Sequence, residues 1–249
     1  MSFKGKTVVI TGGASGIGFL TGKNMAHEGA KVVLVDVNEE ALSRCVEELR
    51  AIPAEVLGFA IDVRDYPSVC RVRDETVKAF GSIDVLVCCA GGAEMRLCNQ
   101  DGPFWETPID VYDFSIDLNL KGVLYFDHAV MSQMVKQNSG VIIHLGSITG
   151  ADGCRSNVGY STSKSALMNG MTRSIALAGA EHHIRCVCVA PGPVLTRTGM
   201  ANMKTLEGRA AQPQEIVDLI LYVASEKGDF INGTTFLIDG GRHIMVNKW

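Results

Sequence analysis

Short apolar runs alternate along the chain with segments of helical periodicity. Between the second and third runs, Glu39–Leu49 places its apolar residues on one face and its carboxylates on the other, as in an amphipathic helix. Continuous apolar strands that alternate with such helices predict a mostly parallel sheet covered on both faces. No linker interrupts the series, so we expect a single doubly wound α/β domain over residues 1–249. The predicted strands are Thr7–Thr11, Lys31–Val35, Glu55–Ile61, Asp84–Cys89, Val141–Leu145, Ile184–Ala190 and Thr234–Ile238.

Composition narrows the class of protein. Of the 249 residues, 47% are hydrophobic and 20% charged, which is typical of a soluble globular domain. The net charge of −4 gives no basic footprint for nucleic acid, and no apolar run has the length of a membrane span. The chain enters its first strand pattern at once, so we expect no targeting segment. Several of the eight cysteines lie in strand-like runs, and no Cys/His spacing suggests zinc. We therefore expect a cytoplasmic protein without a metal site.

A glycine-rich turn joins the first strand to the first helix. Thr11–Gly18 reads TGGASGIG, and glycines here let backbone amides and a helix N-terminus approach a pyrophosphate. Asp36 ends the second strand, where a carboxylate accepts the ribose hydroxyls of an adenosine and repels a 2′-phosphate. Val37 after it supplies no cation. These features predict a dinucleotide site that prefers NAD to NADP, and the alternative for Asp36 is an aspartate that only starts a loop.

A second group of polar residues follows the fifth strand. Ser147 lies just beyond the apolar run, and Tyr160 and Lys164 are one helical turn apart, which puts the phenol and the ammonium on one face. A hydroxyl that faces a phenol beside a fixed cation is suited to proton transfer. A chance Tyr–Lys pair on a helix surface has the same spacing, so the prediction depends on its surroundings.

Taken together, the glycine turn, Ser147 and the YSTSK element resemble the short-chain dehydrogenase/reductase family over essentially the whole chain. The resemblance implies a Rossmann-type fold and a catalytic tetrad of Asn119, Ser147, Tyr160 and Lys164. It also implies that Asp62–Val63 contacts the adenine ring and that Pro191–Val194 with Thr196 forms the nicotinamide-side turn. The expected cofactor contacts are Gly12, Ser15, Gly16, Ile17, Gly18, Asp36, Asp62, Val63, Cys89, Ala90, Gly91, Tyr160, Lys164, Pro191, Gly192, Val194 and Thr196.

The implied reaction interconverts a secondary alcohol and a ketone by hydride transfer to or from NAD. Tyr160 would be the general acid/base, and Ser147 would hydrogen-bond the substrate oxygen. Lys164 would favour the phenolate and bind the nicotinamide ribose. Asn119 would hold a water that links Lys164 to solvent, although a helix-interior asparagine bonded to backbone is the simpler interpretation.

The sequence departs from the family pattern after the fourth strand. Cys88 and Cys89 stand where the family usually has two asparagines before Ala-Gly. A thiol is a weaker donor than an amide, so we expect retained NAD binding with a different local bonding network. A reactive thiol is the alternative, but thiols buried in apolar strands are usually inert.

The substrate loops are expected at about 92–112 and 194–212. The first is longer and the second shorter than the family usually shows, and Phe104 and Trp105 in the first either shape the substrate mouth or serve a helix cap or subunit contact. Cys154 is a small residue at a position that often faces substrate. We expect a sugar, polyol or other hydroxylated substrate, which the polar candidates favour, with a hydroxysteroid or 3-oxoacyl substrate, which the apolar ones favour, as the alternative. The polar candidates are Glu94, Arg96, Asn99, Thr149, Arg155 and Asn157, and the apolar ones Phe104, Trp105, Ile148, Val194, Met200 and Met203.

Two further expectations concern class and assembly. A non-catalytic NAD-binding regulator on the same fold is the alternative to an enzyme, because a fold does not fix a function. The family usually forms tetramers, so we expect a homotetramer, or else a homodimer, that acts on a small-molecule alcohol or ketone. Pro213–Ala224 has the pattern of an amphipathic helix, and Trp249 is predicted either to pack on a neighbouring subunit or to lie in a frayed terminus.

Overall fold

The structure is a computed structural model and describes residues 2–246. Within these residues seven strands form one parallel sheet in the order β3-β2-β1-β4-β5-β6-β7, which confirms the predicted fold class. The strands are β1 (Thr7–Thr11), β2 (Lys31–Asp36), β3 (Val56–Ala60), β4 (Val85–Cys88), β5 (Gly140–Leu145), β6 (Ile184–Pro191) and β7 (Thr235–Ile238). Their positions agree with the seven apolar runs to within one residue at every end.

Helices connect the strands and cover both faces of the sheet. The α-helices are α1 (Gly16–His27), α2 (Glu39–Arg50), α3 (Tyr66–Phe80), α4 (Glu94–Leu97), α5 (Ile109–Ile116), α6 (Gly122–Gln137), α7 (Ile148–Asp152), α8 (Val158–Ala166), α9 (Thr172–Gly179) and α10 (Pro213–Ala224). Two π-helical turns, Asp117–Lys121 and Leu167–Met171, join α5 to α6 and α8 to α9. Short 3₁₀ turns occupy Ala180–His182, Thr198–Asn202, Glu226–Gly228 and Arg242–Ile244.

Each face of the sheet has its own core, because neighbouring side chains on a buried strand point to opposite faces. On one face Val8 and Ile10 of β1 pack with α1, α2 and α10, and on the other Val9 packs with residues of α3, α6 and α9. Ile220 of α10 is fully buried in the first core. The apolar side of this amphipathic helix therefore faces its own domain.

The strand order reverses between β1 and β4. From β1 the chain moves outward to β2 and β3 on one side, whereas β4 returns to the other side of β1. The loops that leave the carboxyl ends of these two strands therefore diverge and open a crevice, which is where doubly wound sheets bind their ligands.

Candidate active site

A cleft of about 990 Å³ runs along the carboxyl edge of the sheet. Its walls include the two catalytic candidates Ser147 and Tyr160, whereas Asn119 and Lys164 lie behind the wall with 0% and 3% of their surface exposed. All of the predicted cofactor contacts except Lys164 line this cleft: Gly12, Ser15, Gly16, Ile17, Gly18, Asp36, Asp62, Val63, Cys89, Ala90, Gly91, Tyr160, Pro191, Gly192, Val194 and Thr196. The structure thus brings residues from both halves of the chain to one place.

The glycine turn forms one end of the cleft. Gly16 has φ = +52°, and a Cβ there would lie 3.6 Å from the Thr196 methyl group on the opposite wall. At Gly18 a Cβ would collide with the carbonyl oxygen of Gly12, so the turn closes only with glycine at this position. The helix α1 begins at Gly16 with no acidic residue in its first turn, and Gly16, Ile17 and Gly18 of that turn line the cleft. The turn therefore fits a dinucleotide pyrophosphate.

Asp36 lies at the adenosine end with its carboxylate held in place by backbone. Its Oδ2 accepts from the Ala14 N–H at 3.1 Å and its Oδ1 from the Asn38 N–H at 3.0 Å. Each oxygen has a further lone pair, so the carboxylate fits ribose hydroxyls. The nearby Arg64 guanidinium is engaged by Asp62, at distances of 2.6–3.0 Å, and this hydrogen bonding lowers the pKa of Asp62.

The end of β4 is hydrogen-bonded to Thr11 of β1. It has no asparagine side chains for this purpose, because Cys88 and Cys89 occupy those positions. The Thr11 hydroxyl accepts from the Ala90 N–H at 3.1 Å, and its carbonyl accepts from the Cys89 N–H at 3.2 Å. Burial raises the pKa of the Cys88 thiol well above its ordinary value and that of Cys89 to about 12. Both thiols are thus held in the protonated form, which favours the inert interpretation over a reactive one.

Tyr160 and Lys164 lie on one face of α8, as their spacing predicted. The Lys164 Nζ atom is 5.5 Å from the centre of the Tyr160 ring and donates to the Leu145 carbonyl at 2.6 Å. Ser147 begins α7, and its Oγ accepts from the Thr149 hydroxyl at 3.0 Å and from the Thr149 N–H at 3.3 Å. Because both contacts use the lone pairs of Ser147, its own proton remains available to a substrate oxygen.

Asn119 lies in the first π-helical turn and binds the loop that follows β4. Its Oδ1 accepts from the Gly92 N–H at 2.9 Å, and its Nδ2 donates to the Gly92 and Ser115 carbonyls at 3.0 and 2.9 Å. A Cβ on Gly91 would collide with the Asn119 side chain. The Asn119 side chain is therefore bonded to backbone, as the simpler interpretation expects. That backbone includes Gly92, which belongs to the cleft wall. A water between Asn119 and Lys164 stays a prediction.

Glu94 occupies a position that the sequence did not indicate. It was a candidate for the substrate face, but its carboxylate is fully buried beneath the catalytic helix. It accepts from the Gly159 N–H at 2.8 Å, the Tyr160 N–H at 3.0 Å and the Ser115 hydroxyl at 3.0 Å. The carboxylate thus satisfies the N-terminal amides of α8, and the insertion that carries it supports the catalytic helix. A lone Glu in a long loop gives no sequence signal for this role.

The two predicted substrate loops contribute unequally to the cleft. Phe104 and Trp105 are 49% and 78% exposed and lie outside its walls, where the Phe104 ring packs on Tyr112 at 5.2 Å. Of the two interpretations, the structure favours a contact with a helix, here α5, over a role in the substrate mouth. Asn99 and Arg155 are also absent from the walls. The other candidates line the cleft: Arg96, Ile148, Thr149, Cys154, Asn157, Val194, Met200 and Met203.

Three remaining expectations concern metal, membrane and tail. Among residues 2–246 no group of His, Cys, Asp and Glu side chains is arranged to hold a metal ion. Over the same residues no helix combines the length and the apolar character that a bilayer crossing requires. Trp249, predicted to pack on a neighbouring subunit or to fray, lies outside the described residues.

Comparison with known proteins agrees with the fold and the motifs. The chain is 34% identical over 250 residues to a 3-oxoacyl-(acyl-carrier-protein) reductase of Thermotoga maritima, with 97% of this chain and 99% of the relative covered. It is 34% identical over 250 residues to a cis-4-hydroxycyclohexanecarboxylate dehydrogenase of Sinomonas cyclohexanicum, covering 96% and 97%. A 7α-hydroxysteroid dehydrogenase solved with NADH and 7-oxo glycochenodeoxycholic acid superposes with a TM-score of 0.86 at 26% identity, covering 96% and 95%. The model of the short chain dehydrogenase family matches residues 6–207, and this chain therefore belongs to that family of oxidoreductases.

Proposed function

We propose that the protein is an NAD-dependent oxidoreductase that interconverts a secondary alcohol and a ketone, with Tyr160 as the general acid/base. The observation that carries the proposal is the Lys164 ammonium held 5.5 Å from the Tyr160 ring, in a cleft that Ser147 also lines. The relatives support the reaction class, since their names describe reductases and dehydrogenases of hydroxyl and oxo groups.

The chain supplies the proton chemistry of this reaction. NAD, when bound, accepts the hydride that leaves the carbinol carbon or returns it to the ketone. In the direction of oxidation, Tyr160 accepts the hydroxyl proton, and Lys164 stabilises the negative charge that the phenol oxygen carries before that transfer. Ser147 donates a hydrogen bond to the substrate oxygen through both directions of the reaction. The Lys164 bond to Leu145 leaves two ammonium protons for the ribose and for proton exchange with solvent.

The preference for NAD over NADP is supported by the charges at the adenosine end. A 2′-phosphate on the ribose would meet the Asp36 carboxylate, which the Ala14 amide fixes in place. Arg64, a cation of the same wall, is bonded to Asp62 and lies 4.7 Å from the Phe114 ring. The Arg64 guanidinium is therefore occupied on its N–H edge by Asp62 and on one face by the Phe114 ring. The solved neighbour with bound NADH agrees with this preference.

Assembly and location complete the proposal. Phe230, Leu177 and Leu237 are exposed, and Leu237 lies on the edge strand β7. These surfaces favour the homotetramer that the family resemblance implies. Light scattering of the purified protein would show a mass of four chains if this is right and of one or two if it is wrong. The thiols of Cys88, Cys186 and Cys188 are fully buried as small apolar side chains, which suits a reducing cytoplasm.

The test is formation of NADH over a panel of secondary alcohols, including cis-4-hydroxycyclohexanecarboxylate, with wild type and Tyr160→Phe. Removal of the acid/base should lower kcat about 100- to 10,000-fold, because general acid–base catalysis contributes a factor of this size. Tyr222→Phe is the matched control, since Tyr222 is exposed on α10 and far from the cleft walls. Equal trace activity of wild type and Tyr160→Phe would favour the non-catalytic regulator instead.

A further inference from the structure

The charges that line the cleft are not balanced along its length. Within the described residues, the acidic side chains on its walls are Asp36 and Asp62, both at the adenosine end. The basic ones are Arg64, Arg96 and Arg197. Asp62 and Arg64 neutralise each other through three hydrogen bonds of 2.6–3.0 Å between their side chains. Apart from this pair and Asp36, the charged groups that the described residues place on the cleft walls are the two guanidinium groups of Arg96 and Arg197.

Arg96 and Arg197 reach the cleft from different walls. Arg96 belongs to α4, and a Cβ on Gly92 would lie 2.6 Å from its Nη2 atom, so the guanidinium packs on the loop that Asn119 holds. Arg197 directly follows Thr196 in the loop after β6. Burial lowers the pKa of Arg96, the charge of Arg197 lowers it further, and the Tyr160 phenol opposes this effect. Arg96, Arg197 and Tyr160 thus line the same cleft.

Neither guanidinium has an ion pair or a hydrogen bond to a protein acceptor within residues 2–246. The nearest acid along the chain, Glu94, is fully buried and directs its oxygens to the amides of Gly159 and Tyr160 instead. Arg209, in contrast, forms an ion pair with Glu215 at 2.6 Å. Two like charges brought together without a counter-ion repel each other, and a bound anion would relieve that repulsion.

We infer that the substrate is a secondary alcohol or ketone that also carries a carboxylate, which Arg96 and Arg197 bind. The planar guanidinium fork matches a carboxylate with two parallel hydrogen bonds, so two such groups fix both the charge and the orientation of one end of the substrate. Fixing that end presents the carbinol carbon to the nicotinamide side of the cleft, next to Ser147 and Tyr160. The polar Asn157 and Thr149 on the same walls are compatible with further hydroxyl groups on the substrate.

This inference rests on the proposed function, and its test uses matched pairs of substrates. The acids are cis-4-hydroxycyclohexanecarboxylate and 3-hydroxybutyrate, and each is compared with its neutral carboxamide at saturating NAD. For the acid that is the better substrate of the two, we expect a kcat/KM at least about 10-fold higher than that of its own amide. In Arg96→Met and Arg197→Met that ratio should fall about 10-fold or more, to near 1, a change of the size that loss of a hydrogen bond between charged groups gives. Arg96→Lys should restore part of the ratio, and Arg71→Met, on an exposed face of α3, should leave it unchanged.

A binding measurement separates the carboxylate subsite from catalysis. Cyclohexanecarboxylate has no hydroxyl to oxidise, and calorimetric titration into the enzyme–NADH complex should show binding that Arg96→Met weakens about 10-fold or more. Titration of NADH alone should give the same Kd for wild type and for both arginine variants. A Kd for NADH that rises as much as the Kd for the acid would assign the guanidiniums to the cofactor and overturn the inference.

Failure of this inference and failure of the proposed function look different. If the amides react as well as the acids and the arginine variants keep that ratio, the carboxylate subsite is refuted while the alcohol dehydrogenase activity stands. If cyclohexanecarboxylate does not bind to the enzyme–NADH complex, the subsite is refuted without reference to turnover. If Tyr160→Phe has no effect on any active pair, the proposed function fails first.

Discussion

Replacement of Glu94 by Gln tests the coupling between the insertion after β4 and the catalytic helix. The Glu94 carboxylate is fully buried and accepts three hydrogen bonds of 2.8–3.0 Å, two of them from the backbone amides of Gly159 and Tyr160. Gln has the same shape but only one acceptor oxygen, and its NH₂ group faces a donor wherever it is placed. The Ser115 hydroxyl can rotate to accept a proton, whereas a backbone N–H cannot. At least one of the two amides therefore loses its partner.

The expected loss of stability in Glu94→Gln follows from these contacts. A buried donor left without an acceptor costs about 1–3 kcal/mol. Loss of the negative charge at the N-terminus of α8 adds about 0.3–2 kcal/mol, depending on how far solvent screens it. We therefore expect Glu94→Gln to lower the free energy of unfolding by about 1–5 kcal/mol. Because the affected amides belong to Tyr160 and its neighbour, we also expect kcat to fall about 10- to 100-fold through misplacement of the phenol.

Urea unfolding measures the free energy of unfolding, and steady-state kinetics at saturating NAD measure kcat. Glu106→Gln is the matched control, since Glu106 lies in the same insertion but is exposed, and its carboxylate accepts from the Trp105 indole N–H at 3.2 Å. A positioning role predicts a fall in kcat with little change in the Kd of NADH. Unfolding within 0.5 kcal/mol of wild type together with an unchanged kcat would refute the reasoning.

Three further predictions concern other parts of the molecule. Burial would lower the pKa of His144, but the charge of Asp127, bonded to it at 2.9 Å, raises that pKa well above its ordinary value of 6.5. A group whose pKa is raised in the folded state contributes its full stabilisation below about pH 6.5. This contribution is lost as the pH rises through the folded-state pKa. The stability difference between wild type and Asp127→Asn in urea should therefore shrink from pH 6 to pH 9, and a constant difference would contradict it. Asp36→Asn should weaken NADH binding about 10-fold and reduce the discrimination against NADPH in fluorescence titrations, whereas an unchanged preference would remove Asp36 from cofactor selection. The thiols of Cys88 and Cys89 should react with a maleimide only after denaturation, and rapid labelling of either in the native protein would overturn the inert interpretation.

The fold and the centre of the site were predictable because local pattern determines them. A continuous β-branched run such as Lys31–Asp36 has few conformations other than a buried strand, and its burial is complete from Val32 to Val35. The Tyr160–Lys164 spacing fixed a common helix face before any tertiary contact was known. The glycine turn likewise carries its own geometry, since the collision of a Cβ at Gly18 with Gly12 is a local property.

The rest depended on contacts between residues distant in sequence. The bond from Glu94 to the Gly159 amide spans 65 residues, and a polar residue in a long loop gives no periodic signal for such a burial. For the same reason the sequence left two interpretations of Phe104 and Trp105 open, and the tertiary contact of Phe104 with Tyr112 of α5 favours the helix contact. The presence of Arg96 and Arg197 in one cleft also emerges only from the folded structure, because the two lie 101 positions apart in the sequence.

Transfer of deuterium from the carbinol carbon tests the central claim most directly. An active secondary alcohol labelled with deuterium at that carbon is incubated with excess enzyme and NAD for a single turnover, and the reduced cofactor is analysed by mass spectrometry. We predict one deuterium per NADH in wild type. In Tyr160→Phe we predict a rate lower by about 100-fold or more, with an unchanged Kd for NADH. Deuterium that appears in the cofactor at the same rate in both proteins would contradict the assignment of Tyr160 as the acid/base, and its absence from wild type would contradict hydride transfer itself.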